Sequence, residues 1–144
     1  MRLVFLILKT LHAGAYRATG GRVGGRFMGM PVLMLTTTGR VSGERRTVPL
    51  TYFEDGDALL VIGSKGGATR HPDWYLNLQA EPVVEIQIGP EHRLLRARRA
   101  TAQEAERLWP VVLERAPVYG RYRARTTRDI PLVLFERDVG VSRE

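Results

Sequence analysis

The chain has 144 residues, no cysteine, 22 Lys+Arg against 15 Asp+Glu, a net charge of +7, and 44% hydrophobic and 26% charged residues. This is the composition of one ordinary globular domain rather than of a disordered chain. The missing cysteine excludes a disulfide framework, a thiolate metal cluster and a cysteine nucleophile, and the histidines His12, His71 and His92 lie at no metal-ligand spacing, so no metal is expected.

The positive excess is almost wholly arginine, because lysine occurs only at Lys9 and Lys65. Such a field favours an anionic partner: nucleic acid, an anionic membrane surface, or a phosphorylated or carboxylated small molecule. Plain solvation of the surface accounts for it equally well, and composition does not choose among these.

At the N-terminus Leu3–Leu8 is apolar and stops at Lys9. A bilayer span needs about 20 apolar residues and a secretory signal about 7–15, so neither is predicted. A helix over residues 2–17 is expected. It either packs on the domain or lies on a membrane with Arg2, Lys9 and Arg17 near lipid phosphates. Residues 18–30, with Gly20, Gly21, Gly24, Gly25 and Gly29, read as a flexible linker. No strand precedes these glycines, which excludes a dinucleotide-binding loop.

From Pro31 the texture is β. Val32–Thr38 is a strand, Gly39–Gly43 a turn, and Arg46–Glu54 a second strand in which Pro49 signals an edge or a bulge. Asp55-Gly56-Asp57 marks a hairpin, Ala58–Gly63 a third strand and Ser64–Ala68 a glycine-bearing loop. Asp73–Gln79 is a short helix that Asp73 is placed to cap. Val84, Ile86 and Ile88 alternate with polar residues as a half-buried strand does, and His92–Ala100 is its partner. Thr101 and Glu104 form a capping box before a helix reaching about Arg115, which Pro110 should shorten or kink. A basic, tyrosine-bearing segment, Tyr119–Arg128, precedes a last strand, Pro131–Arg137. The fold class is α+β, mainly β: about six mostly antiparallel strands in a small barrel, whose closure removes exposed edges. Residues 1–144 form one domain, with 1–17 the helix, 18–30 the linker and 31–137 the barrel.

Four constellations could carry chemistry. Thr36–Arg46 surrounds Gly39 and Gly43 with Arg40, Arg45 and Arg46, a good anion cradle or simply a charged hairpin tip. Gly63-Ser64-Lys65-Gly66-Gly67 is no Walker loop, yet its glycines let a flat ligand approach the backbone. In His71–Leu78 the leucines read as helix anchors and His71 as a capping or solvated side chain, while Asp73 and Trp74 could line a pocket. Tyr119–Arg125 interleaves tyrosine and arginine, which suits nucleobase stacking, closure over a planar ligand with one phenol donating a proton, or plain packing. Paired carboxylates and a Gly-x-Ser-x-Gly elbow are missing, so hydrolase chemistry has no support.

Taken in order, Leu35–Arg40, Ser42-Gly43, Arg46, Pro49-Leu50, Ser64–Ala68 and Pro72–Leu78 resemble the deazaflavin-dependent nitroreductase family, split-barrel reductases that use coenzyme F420. The resemblance runs from Met30 to Val133. It implies a split β-barrel with peripheral helices. It also implies hydride transfer from reduced F420 to an electron-poor acceptor, a quinone such as menaquinone or a nitroaromatic compound. By resemblance Arg40, Val41, Ser42 and Arg46 meet the cofactor's phosphate and glutamate tail. Thr47, Val48, Pro49, Leu50, Thr51, Ile62, Gly63, Ser64 and Lys65 line its ring and side chain. Asp73, Trp74, Tyr75, Leu76 and Asn77 complete that wall. Tyr119 and Tyr122 face the acceptor, with Tyr119 orienting it or relaying a proton and Ser64 hydrogen-bonding near the reactive ring. The chain departs from the family pattern at Val41, where lysine is frequent, at Thr51, where an aromatic occurs, and at Ala116, where another tyrosine occurs. A more open acceptor site is expected.

Two alternatives share the fold: an FMN-dependent oxidoreductase, and a non-catalytic carrier of F420 or a lipid. A nucleic-acid binder is a third class, distinguished by steep salt dependence; no nucleic-acid partner is expected of a pocket enzyme. The resemblance further implies a cytoplasmic protein, with peripheral contact at the inner face of the membrane through residues 1–17, and pairing as a homodimer.

Overall fold

The computed structural model describes residues 14, 16, 18–21, 25–27 and 29–137. The predicted helix over 2–17 lies outside these except for Gly14 and Tyr16, which are helical, as are Ala18 and Thr19. Tyr16 is buried; its hydroxyl donates to the Gln87 carbonyl at 3.3 Å and accepts from the Gly89 amide at 2.8 Å. This end of the helix therefore packs on the domain.

Eight strands follow: β1 (Arg26–Phe27), β2 (Met30–Thr38), β3 (Arg45–Thr51), β4 (Phe53–Asp55), β5 (Ala58–Ile62), β6 (Val83–Ile88), β7 (Glu91–Arg99) and β8 (Leu132–Arg137). All pairings are antiparallel, in the order β1-β2-β6-β7-β8-β5-β4, with β3 also on β2. The expected single strand over 46–54 is broken at Tyr52, whose amide bonds to the Pro31 carbonyl at 3.1 Å. Before the break the chain pairs with β2, after it with β5. One continuous stretch thus joins the two edges of the sheet and curls it into a split barrel. Pro49 stands opposite Met34 on β3, which pairs with β2 alone, the edge position a proline tolerates.

The linker expectation for 18–30 is corrected: β1 pairs with the start of β2 around Gly29, at φ 78°. A two-residue strand carries no periodicity to read. Three helices are fully described: α1 (Asp73–Ala80), α2 (Ala102–Arg115) and α3 (Val118–Ala124). The cap of α1 is Pro72, not Asp73, whose carboxylate instead accepts from Arg40. In α2 the Thr101–Glu104 capping box forms as expected, but the helix runs through Pro110 to Arg115. The proline removes only the amide that would reach the Glu106 carbonyl, and both residues lie on the exposed face. The basic segment after Ala116 is helical as α3.

Two apolar clusters sit on either face of the sheet. Leu33, Leu35, Val61, Val84, Ile86 and Phe135 fill the barrel interior with Trp74 and Tyr75 of α1. Leu60, Ile62, Leu132 and Leu134 face outward and are covered by Leu108 and Val112 of α2, four residues apart on one helix face.

Candidate functional site

The hairpin between β2 and β3 is closed by the Gly39 amide on the Glu44 carbonyl at 2.7 Å, with Gly43 at φ 73°. Arg40 reaches back from this tip to α1. Its Nη1 donates to Asn77 Oδ1 at 2.8 Å, its Nη2 to Asp73 Oδ1 at 3.2 Å, and its backbone amide to Asn77 Oδ1 at 3.2 Å. Asn77 Nδ2 in turn donates to Thr37 Oγ1 at 3.2 Å, both side chains buried. The structure therefore brings Arg40, Asp73 and Asn77 together, as partners of one another: Arg40 anchors the tip. Ser42 Oγ accepts the Glu44 amide at 3.1 Å, and Val41 is exposed. Arg46 pairs loosely with exposed Glu44 at 3.3 Å, and Lys65 is exposed, so both present cationic groups to solvent.

The loop after β5 takes three successive left-handed conformations, Lys65 at φ 46°, Gly66 at 63° and Gly67 at 82°. A lysine there is strained and persists only where its surroundings over-determine it. Arg128 does so. Its Nε donates to the Ala68 carbonyl at 3.0 Å, Nη1 to that of Gly63 at 3.0 Å and Nη2 to that of Ser64 at 2.8 Å. Nη1 also lies 2.8 Å from His71 Nδ1, which accepts as the neutral imidazole. Burial and then the Arg128 and Arg99 charges lower the His71 pKa, in keeping with that neutral form. Gly67 is pressed under α3: a Cβ there would lie 2.6 Å from the Tyr122 carbonyl oxygen. Gly66, by contrast, faces open space, so a flat ligand can approach its backbone. Ser64 is buried within this shelf. Sequence reasoning missed Arg128, since nothing in the pattern separates it from Arg121, Arg123 and Arg125.

On the other side of the shelf, Tyr119 of α3 shares a 2.5 Å hydrogen bond with Thr51 Oγ1. Its ring meets Tyr122 edge-on at 5.7 Å and Phe53 at 6.3 Å. Burial raises the Tyr119 pKa above 10.0, with the Thr51 hydrogen bond opposing it, so the phenol stays protonated at neutral pH. Thr51, Ala116, Tyr119 and Tyr122 line a cavity of about 300 Å³ together with Phe27, Met30, Arg115 and Arg121. Phe27 and Met30 were not anticipated: Phe27 lies on β1 and Met30 opens β2, both within the stretch expected to be linker. Among the described residues no hydrogen bond joins Ser64 to Tyr119; they lie on neighbouring elements that meet at Gly67 and Tyr122.

The remaining expected residues divide between strand and core. Val48, Leu50 and Leu76 are half-buried against the barrel interior, and Thr47 bonds Thr36 at 2.8 Å. Trp74 and Tyr75 are buried in that interior, and Ile62 in the outer cluster, rather than standing on an open wall. No group of three or more acidic or histidine side chains among the described residues could hold a metal. The donor set suits instead a flat ring on an apolar strand with an anionic tail: open glycine backbone at 66, cations at Arg46 and Lys65, and no carboxylate lining the cavity.

A family model described as F420H(2)-dependent quinone reductase matches residues 8–137. A Mycobacterium tuberculosis protein named F420H(2)-dependent quinone reductase is 44% identical over 140 residues, covering 94% of each chain. A solved F420-H2 dependent reductase, FDR-A, is similar at 37% identity and TM-score 0.66 over 74% of this chain and 94% of its own. A chain solved as a domain-swapped dimer is similar at 31% identity and TM-score 0.69 over 94% of this chain and 100% of its own.

Proposed function

The chain belongs to the F420H(2)-dependent quinone reductase family, and from that premise we propose how its own residues carry the reaction. It is an oxidoreductase whose cofactor is coenzyme F420 and whose acceptor is of the quinone type. Reduced F420, when bound, supplies the hydride. Arg46 and Lys65 attract the anionic tail, Val48 and Leu50 offer the ring an apolar face, and the shelf from Gly63 to Gly67 supports its edge. Ser64 orients polar atoms near the reacting ring. Phe27 and Met30 exclude water on the acceptor side.

Hydride arrival leaves the quinol monoanion, with its negative charge on oxygen, and a single proton, replaced from solvent at its donor, completes the quinol. Tyr119 supplies that proton or holds the oxygen by hydrogen bond. The observation that carries this reading is the Tyr119 hydroxyl, fixed by Thr51 and kept protonated by burial, in the wall of a cavity that no carboxylate lines. The smaller Thr51 and Ala116 widen that cavity, so quinones are the proposed acceptors ahead of nitroaromatics. Rapid mixing with reduced F420 and menadione tests the reading: loss of the reduced-cofactor absorbance is expected. Binding of FMN but not F420 in a parallel titration would overturn it.

Pairing as a homodimer is supported by the relative solved as a domain-swapped dimer; light scattering of the purified protein checks it. No described helix is long and apolar enough to cross a membrane. A cytoplasmic site of action and membrane contact through residues 1–17 belong to the proposal, and sedimentation with anionic vesicles, with and without those residues, tests the contact.

A further inference from the structure

Several arginines elsewhere on the molecule are ion-paired. Arg45 pairs with Glu85 at 2.8 Å, Arg98 with Glu104 at 2.7 Å and Glu136 at 2.6 Å, Arg99 with Asp129 at 2.6 Å, and Arg107 with Asp55 at 3.0 Å. Arg123 lies over the Trp109 ring at 4.2 Å and Arg125 faces Tyr122 at 5.9 Å. Arg115 and Arg121 differ: both line the acceptor cavity, and neither has a carboxylate within ion-pair distance among the described residues. Each lies in the last turn of a helix, Arg115 in α2 and Arg121 in α3, where a cation is favoured whatever the cavity holds. Helix ends explain the sign of these charges but not why two of them border one cavity that no acidic side chain lines.

Resting on the reading above, we propose that this cavity selects quinone-like acceptors bearing a negative charge, as a ring oxyanion or a short carboxylate or sulfonate substituent, with Arg115 and Arg121 as the residues that determine the preference. A guanidinium offers forked donors to such a group. The same pair favours the negative charge that a neutral quinone gains when hydride arrives, so turnover of uncharged acceptors is compatible with the preference. Charge selection at a cavity mouth also predicts sensitivity to salt, since exposed cations are screened within about 10 Å at 0.1 M ionic strength.

The test compares two naphthoquinones on the same bicycle, menadione and a ring sulfonate, with reduced F420. Their intrinsic reactivities differ, so the quantity read is kcat/KM for the sulfonate divided by kcat/KM for menadione in each protein. That ratio should fall about threefold in Arg121→Gln and in Arg115→Gln, and about tenfold in the double variant, from roughly 0.2–1 kcal/mol per exposed ionic contact. Arg121→Lys should keep most of the ratio, which a merely structural role would not predict. Equilibrium dialysis of the sulfonate against the cofactor-free protein should show the same ordering of affinities. Wild-type protein that turns over neither quinone would overturn the functional reading itself. Wild-type turnover with an unchanged ratio in both Gln variants would overturn the charge preference alone.

Discussion

Arg128→Ala removes the clamp on the Gly63–Ala68 shelf, and its effect can be worked from the contacts. The Ser64 carbonyl keeps the Gly67 amide at 2.9 Å, whereas the carbonyls of Gly63 and Ala68 lose the guanidinium. A hydrogen bond to a charged donor contributes about 1.5–3 kcal/mol, and water can reach this half-buried site, so about 3 kcal/mol is expected for the set. For a chain of this size that is a fall of roughly 6–12 °C in Tm. Without the clamp, the left-handed Lys65 backbone has less to hold it, and F420 should bind about tenfold more weakly, or ~1.4 kcal/mol. Thermal unfolding and an F420 titration well below Tm separate the two effects. A third readout is independent of the cofactor. Burial and then the Arg128 charge depress the His71 pKa, so the variant's imidazole should titrate closer to 6.5 by NMR. If F420 affinity stayed within twofold of wild type in a folded but less stable variant, Arg128 would support the fold and not the shelf. An unmoved His71 titration would refute the contact itself.

Tyr119→Phe should lower turnover about tenfold or more while leaving F420 affinity nearly unchanged, from the 10²–10⁴ typical of a positioned acid; equal losses in both would reduce Tyr119 to a binding group. Gly67→Ala sets a Cβ 2.6 Å from the Tyr122 oxygen at φ 82°, whereas Gly66→Ala meets nothing within 4 Å at φ 63°. The first should destabilise by about 3 kcal/mol or more and disturb the acceptor wall, the second by about 1–2 kcal/mol from backbone alone; urea unfolding that ranked them the other way would contradict the packing of the shelf on α3. Glu104 is held down to about 2, from its ordinary 4.5, by the Arg98 hydrogen bond first and the Thr101 amide next. A depressed carboxyl stabilises above its unfolded pKa, so this contribution is full above pH 4.5 and is lost as pH falls toward about 2. Glu104→Gln should flatten the stability profile across that window, measured by unfolding in buffers stepped through it.

Most of the barrel was legible because its strands carry local signals. Alternation at Val84, Ile86 and Ile88, the Asp55-Gly56-Asp57 turn and the Thr101–Glu104 capping box each point to the element that forms. What was not legible depends on partners distant in the chain. The break at Tyr52 is set by competition between β2 and β5, which no window of residues 46–54 contains. Asp73 looked like a cap because its position suits one, yet Arg40, thirty-three residues earlier, claims its carboxylate. The stretch after Pro117 hides its helix because arginine, tyrosine and glycine alternate without an apolar face, and none of its residues is fully buried. In the candidate site, the resemblance singled out Arg40, Asp73 and Asn77, which the structure joins to one another. Arg128, Phe27 and Met30 were not singled out, because what distinguishes them is where the chain returns.

The stretch from Arg115 to Pro131 reaches both halves of the proposed site. Its helix α3 carries Tyr119 and Tyr122 into the proposed acceptor cavity, and the Tyr122 carbonyl lies against Gly67 of the proposed cofactor shelf. Arg128, just beyond that helix, grips the same shelf through the Gly63, Ser64 and Ala68 carbonyls. Pro131 then meets Gly63 again, its carbonyl accepting the Gly63 amide at 2.9 Å before β8 enters the sheet beside β5. Hydride transfer needs the donor and acceptor atoms within about 3–3.5 Å, and errors near 1 Å can lower the rate a hundredfold. A barrel alone cannot hold that tolerance, since the shelf is a loop and the acceptor wall a short helix. Their separation is instead determined by contacts made within this one connection. Substitutions between residues 115 and 131 should therefore affect cofactor binding and acceptor turnover together, even where the altered side chain touches neither ligand.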